Sequence, residues 1–223
     1  MTVPAPVSSA APAKRKADVI PANWRQAAVV PGAMVAVMVV VQLISIFGVN
    51  LVNLLGIEPR SVSGLIGIIT APFVHLSWQH LISNAIPFLI FGFLVMVHGV
   101  KQFIAITAVI WLVSGFGVWL TAPSNSVVVG ASGIVFGWLA FLLARGIFNR
   151  NVWQILVGVV LFLVWGGMFW GVLPGASGIS WQGHLFGALG GVLAAFLAAK
   201  ADAPRKPAVK QTPTPLGNFQ LPT

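Results

Sequence analysis

The stretch Gly183-His-Leu-Phe-Gly187-Ala-Leu-Gly-Gly191 sets glycine at every fourth position inside an apolar run that extends from about 182 to 200. Residues four apart share one helix face, so Gly183, Gly187 and Gly191 form a bare stripe along it. Such stripes let a second helix approach closely inside a bilayer. A matching pair, Gly133 and Gly137, stands in another apolar run, 131–148. The fold therefore turns on whether these runs cross a membrane.

Composition says that they do. Of 223 residues, 58% are hydrophobic and 7% are charged, with a mean hydropathy of +0.97, whereas soluble domains carry roughly a quarter charged residues. A helical crossing needs about 20 mostly apolar residues. Six runs satisfy that: roughly 28–48, 79–99, 102–122, 131–148, 153–173 and 182–200. The expectation is an all-α membrane protein with a six-span unit at 28–200. The tails 1–27 and 201–223, rich in Pro, Ala, Thr, Lys and Arg, lack the apolar surface that offsets ordering entropy and read as disordered. The apolar run after the basic start is too long for a cleaved signal, and no small-x-small site follows it.

A formal charge of +9 invites a nucleic-acid reading, and the distribution of the charge rejects it. Lys14, Arg15, Lys16 and Arg25 precede span one, Lys101 follows span two, Arg145 and Arg150 lie between spans four and five, and Lys200, Arg205, Lys206 and Lys210 close the chain. Arg60 alone sits on the other side. This is the positive-inside pattern for an even number of spans with both termini cytoplasmic. No aromatic-interleaved basic surface is present, so no nucleic-acid partner is expected; the tails suit anionic membrane lipids. With no cysteine, disulfides and thiolate chemistry are excluded.

Polar groups within the spans are few. Histidines occur at 75, 80, 98 and 184, Asn84 lies in span two, and Gln42 and Ser45 lie in span one. Spans two, four and six run in one direction, so His80 with Asn84, Ser132, and His184 arrive at a single depth near the outer face. His98, at the opposite end of span two, reads as interfacial, and His75 as a supporting or surface group.

Ser132 belongs to Gly130-Ala-Ser-Gly133, a sequence repeated at Gly175-Ala-Ser-Gly178. Ser132 opens a helix, whose free N–H groups and positive dipole end suit an oxyanion. Ser177 sits in a short Gly-rich connection without that frame. No lysine or carboxylate shares the depth of Ser132, so the base for it must be a histidine, and His184, set in the glycine stripe of the last span, is the best candidate. The glycine stripes bring the two together. His80 and Asn84, one turn apart on one face, can both donate hydrogen bonds, and aimed at Ser132 they would join its N–H in an oxyanion hole. Outside the tails the chain has one acid, Glu58, in the long first outer connection, so the expected unit is a Ser-His dyad, with Phe136 stacking on His184. No cofactor and no metal is expected, since H-E-x-x-H and nearby carboxylates are missing.

Taken together these residues resemble the rhomboid intramembrane serine proteases. The resemblance rests on "HLSWQHLISN" with His75, His80 and Asn84, on "GASGIVFG" at 130–137, and on "GHLFGALGG" at 183–191, in that order over about 28–200. It implies a rhomboid-like six-helix bundle in a bacterial plasma membrane, with Ser132 as nucleophile, His184 as base, and His80 with Asn84 as oxyanion stabilisers. It also implies single-span or other membrane-protein substrates that enter laterally between spans two and five. Many relatives carry tyrosine where this chain has Phe136, and a Trp-Arg pair in the first connection where it has Glu58-Pro59-Arg60. The rival readings are a noncatalytic rhomboid-like protein that binds membrane clients and a transporter; the first keeps the fold but loses Ser or His, and the second needs paired broken helices.

Overall fold

The computed structural model describes residues 20–175 and 178–202. Six helices in it are long and apolar enough to cross a membrane, and the protein is an integral multi-pass membrane protein. They are α1 (Trp24–Ile46), α4 (Trp78–Val95), α5 (Val100–Thr121), α6 (Ser132–Asn149), α7 (Val152–Trp165, prolonged by a 3₁₀ segment Gly166–Val172) and α8 (Trp181–Asp202). Side-chain caps start four of them: Asn23, Ser77, Asn151 and Ser180 accept from the N–H three residues on, satisfying donors that a helix start leaves open. Arg150, at φ +51 in the left-handed region, ends α6.

Helix α1 begins at Trp24, inside the stretch 1–27 read from sequence as a disordered tail, because Asn23 caps it and the apolar pattern continues outward from residue 28. The rest of that tail up to residue 19, and the C-terminal tail beyond Asp202, lie outside the described residues. The fifth span is also not one α-helix. It tightens to 3₁₀ at Gly166-Gly167, where two residues with poor helix propensity coincide.

The first connection folds rather than loops. It contains α2 (Leu51–Leu55), α3 (Gly67–Thr70) and 3₁₀ turns at 63–65 and 71–73, and is fastened at Ile57, Arg60, Ser61, Ile68 and Ala71 to α5 and to the segment 122–130. Ile57 and Val128 exchange both backbone bonds, at 2.9 and 3.0 Å. The Arg60 N–H donates to the Trp119 carbonyl at 3.0 Å, its guanidinium donates to the Leu120 carbonyl at 3.0 Å and to Ser124, and the Trp119 indole donates to the Ser61 carbonyl. A cation on the last carbonyls of α5 also meets the negative end of the helix dipole.

Helices α6 and α8 form the central seam. A Cβ on Gly187 would overlap the Gly133 carbonyl, and one on Gly191 the Gly137 carbonyl, so two backbones are in direct contact. Gly183 meets α6 differently from the sequence expectation: a Cβ on it would face Val118 and Ser180, while its carbonyl lies 3.2 Å from where a Cβ on Gly133 would stand and accepts from Ser114 Oγ at 2.9 Å. A second face of α8 meets α5, where Gly117 makes room for Phe186, and Gly190 for Ile110 and Val113. At the opposite end of the seam, buried Arg145 of α6 pairs with Asp202 of α8.

Candidate active site

The starts of α4, α6 and α8 converge at one end of the bundle. Ser132 is the first residue of α6, and its turn is shaped by Gly130, at φ +115. The Gly130 N–H donates to the Ala71 carbonyl at 2.9 Å, so the first connection fixes the turn from outside. The N–H groups of Ser132 and Gly133 precede any intrahelical acceptor and are available at the helix N-terminus.

His184, in the first turn of α8, places Nε2 2.8 Å from Ser132 Oγ and Nδ1 3.0 Å from the Gly171 carbonyl. A carbonyl only accepts, so Nδ1 holds the proton and Nε2 presents its lone pair to the serine hydroxyl. Phe136, one turn below Ser132, stacks on the imidazole with centroids 3.9 Å apart and planes 9° from parallel. The ring is therefore held on a face and at one nitrogen. Gly171 escaped the sequence reading because its contribution is a backbone carbonyl. Its missing side chain is the only sequence trace: a Cβ there would stand 2.8 Å from His184 Nδ1 and 3.2 Å from Phe136.

His80 lies over the Gly130 turn, where a Cβ on Gly130 would come within 2.8 Å of the His80 Cε1 and Nε2. Its Nδ1 accepts the Leu76 N–H at 3.4 Å; in the neutral ring this leaves Nε2–H as the donor facing the turn. Asn84 is buried and directs one amide hydrogen to the His80 carbonyl at 2.8 Å, and its second remains to donate. A cavity of about 30 Å³ beside Ser132, lined in part by Ser114, Ser180 and Gly183, has room for water.

Other polar residues fall elsewhere. Ser45 bonds its own helix at Val41. Ser177 and the His98 side chain lie outside the described residues. Glu58 accepts from Ser63 at 2.9 Å, and Asp202 is at the far end with Arg145; neither described carboxylate is on His184, whose Nδ1 is already occupied. Glu58→Gln is accordingly expected to leave turnover within a few-fold of wild type, whereas losing a triad carboxylate costs about 10⁴-fold. Comparing kcat of the two proteins on one membrane substrate checks this.

His75, in the connection before α4, is 2% exposed and stands edge-on to His80, with centroids 5.0 Å apart and planes at 73°. Burial, with His80 beside it, lowers its pKa from 6.5 to about 4. The folded state resists protonation there, so this contribution to stability is complete above pH 6.5 and is lost as the pH falls toward 4, by about 3 kcal/mol in all. Thermal unfolding in detergent between pH 7 and 4 is expected to show that loss in wild type and a smaller one in His75→Phe.

A family profile described as "Rhomboid domain" matches residues 62–201. An uncharacterized protein of Mycobacterium tuberculosis (strain H37Rv) is 43% identical over 171 residues, covering 73% of this chain and 71% of the relative. An uncharacterized protein of Mycobacterium leprae is 40% identical over 183 residues, covering 78% and 72%. A Bacillus subtilis protein named as a candidate rhomboid protease, YdcA, is 29% identical over 132 residues, covering 58% and 65%.

Proposed function

Since the chain belongs to the rhomboid family, we propose that it is an intramembrane serine endopeptidase that cuts transmembrane segments of other membrane proteins with a Ser132–His184 dyad. The observation that carries this reading is the 2.8 Å contact from Ser132 Oγ to a His184 Nε2 left unprotonated by its partner at Gly171. Ser132 Oγ attacks the scissile carbonyl as its proton passes to Nε2. The oxyanion is received by the Ser132 N–H at the α6 start, by His80 Nε2–H and by the free amide hydrogen of Asn84. The imidazolium then gives its proton to the leaving amine, and the acyl group stays on Ser132. Water, deprotonated by His184, attacks that ester and restores the hydroxyl. Phe136 keeps the ring in plane through both half-reactions, and the Gly171 carbonyl takes the place that a carboxylate holds in a triad.

The distribution of Lys and Arg supports an orientation with both termini cytoplasmic, which sets the dyad toward the opposite face of the membrane. The mycobacterial and Bacillus relatives support a bacterial plasma membrane as its location. The test is incubation of the protein in liposomes with a single-span substrate, before and after a fluorophosphonate probe. Cleavage that stops in step with probe attachment to Ser132, located by mass spectrometry, is expected. A protein that binds the substrate but neither cuts it nor takes the probe is a noncatalytic client binder, and the proposal is then wrong.

A further inference from the structure

We infer that Gln42 in the first span and His75 are hydrogen-bonded, directly or through one buried water, and that this link positions the His80 ring. Among the described residues, Gln42, His75 and Arg145 keep buried polar side-chain atoms without a partner: Gln42 through Oε1, His75 through both ring nitrogens, and Arg145 through Nε and Nη1. Arg145 is at the other end of the bundle. Gln42 is 7% exposed and His75 2%, so neither reaches bulk solvent, and an orphaned group at such depth costs about 1–3 kcal/mol.

The packing places the two at one junction. Helix α1 packs on α4 and on the turn at 71–73 that leads to His75. Near its start, the Pro31 ring lies against Gly92, close to the end of α4, so the two helices run antiparallel. Counting an equal number of residues up α1 and back along α4 sets Gln42 level with Leu81, in the first turn of α4 and just below the segment that carries His75. The chemistry is complementary: Gln42 Oε1 only accepts, and a neutral imidazole has one N–H to give, for which the Phe73 carbonyl beside the ring makes no complete hydrogen bond and is the competing acceptor. His80 needs such support, since its one ring hydrogen bond among the described residues, from the Leu76 N–H, is 3.4 Å long, and His75 stands against it edge to face at 5.0 Å.

The consequence is that span one, which lies outside the matched residues 62–201, contributes to the geometry of the site. Gln42 and His75 are positioning residues, since they act through His80. Their effect on turnover rests on the protease reading, but the link itself does not, and two readouts separate them. In detergent-solubilised protein with ¹⁵N-labelled histidine, Gln42→Met is expected to move the His75 ring resonances, assigned with His75→Phe, and to leave those of His184 in place. On a single-span substrate, Gln42→Met and His75→Phe are each expected to lower kcat on the order of 10-fold with KM held within about twofold, as loss of an orienting partner does. The double variant should be no slower than the slower single one. An unmoved His75 signal in Gln42→Met, or losses that multiply in the double variant, overturns the link. Wild-type protein without turnover overturns the protease reading, and the imidazole signals then decide the link alone.

Discussion

Ser132→Ala is expected to reduce cleavage of a single-span substrate to background, a loss of about 10⁶-fold in kcat, since nucleophile and base act as one unit and removing either forfeits the covalent route. His184→Ala should be as inactive, and the double variant no worse than either single one. The substitution removes one oxygen from a half-buried position and leaves the α6–α8 backbone contact untouched, so thermal unfolding should stay within a few degrees of wild type. Ser177→Ala, in the second copy of the tetrapeptide, is expected to retain wild-type turnover. Equal loss in Ser132→Ala and Ser177→Ala would remove the assignment of the nucleophile.

Gly187→Leu is the second large effect, and it strikes the geometry instead of the chemistry. Because even a Cβ at 187 overlaps the Gly133 carbonyl, α8 must move away from α6, and the contact between Ser132 and His184 opens with it. A displacement near 1 Å is enough to cost about 10²-fold in rate, and an overpacked interface costs a further 1–3 kcal/mol or so of stability. Membrane insertion should persist, since leucine is more apolar than glycine. The measurements are yield in the membrane fraction, thermal unfolding, and the rate of fluorophosphonate attachment to Ser132. Gly32→Leu serves as the control, because nothing lies within 4 Å of a Cβ at that position in α1. Full activity in Gly187→Leu would mean that the seam tolerates separation and does not set the dyad.

The parts of this structure that announce themselves in sequence are those written in side chains. Six apolar runs gave the spans to within a few residues, and the glycine spacing at 187, 191, 133 and 137 gave the seam, since a missing side chain is as visible as a present one. The pairing of Ser132 with His184, and Phe136 under the ring, followed from one shared depth and one shared face. What stayed hidden is backbone chemistry. The Gly171 carbonyl on His184, the Gly183 carbonyl taken by Ser114, and the single bridge between Ile57 and Val128 depend on main-chain atoms that every residue has, and a bare Cα at 171 is a trace too common in this chain to single it out. The short helices at 51–55 and 67–70 were read as plain connection because pieces of five and four residues hold too few positions to show a period. In sequence Arg60 is only a charge on the wrong side; its place on the last carbonyls of α5 gives that charge a structural reason.

A carbonyl in the orienting position also bears on how the protein is made. An Asp or Glu in the fifth span would carry a charge from the translocation machinery into the bilayer, at roughly 2.5–3.5 kcal/mol at a helix centre and less toward the end of the span, where Gly171 lies. Gly171 adds no such toll, and its span, Val152–Val172, keeps a mean hydropathy of 2.3. Because Gly171 and His184 stand on successive spans, the hydrogen bond that directs the imidazole forms only once the last helix packs beside its predecessor, so a newly inserted chain holds no oriented Ser132–His184 pair until then.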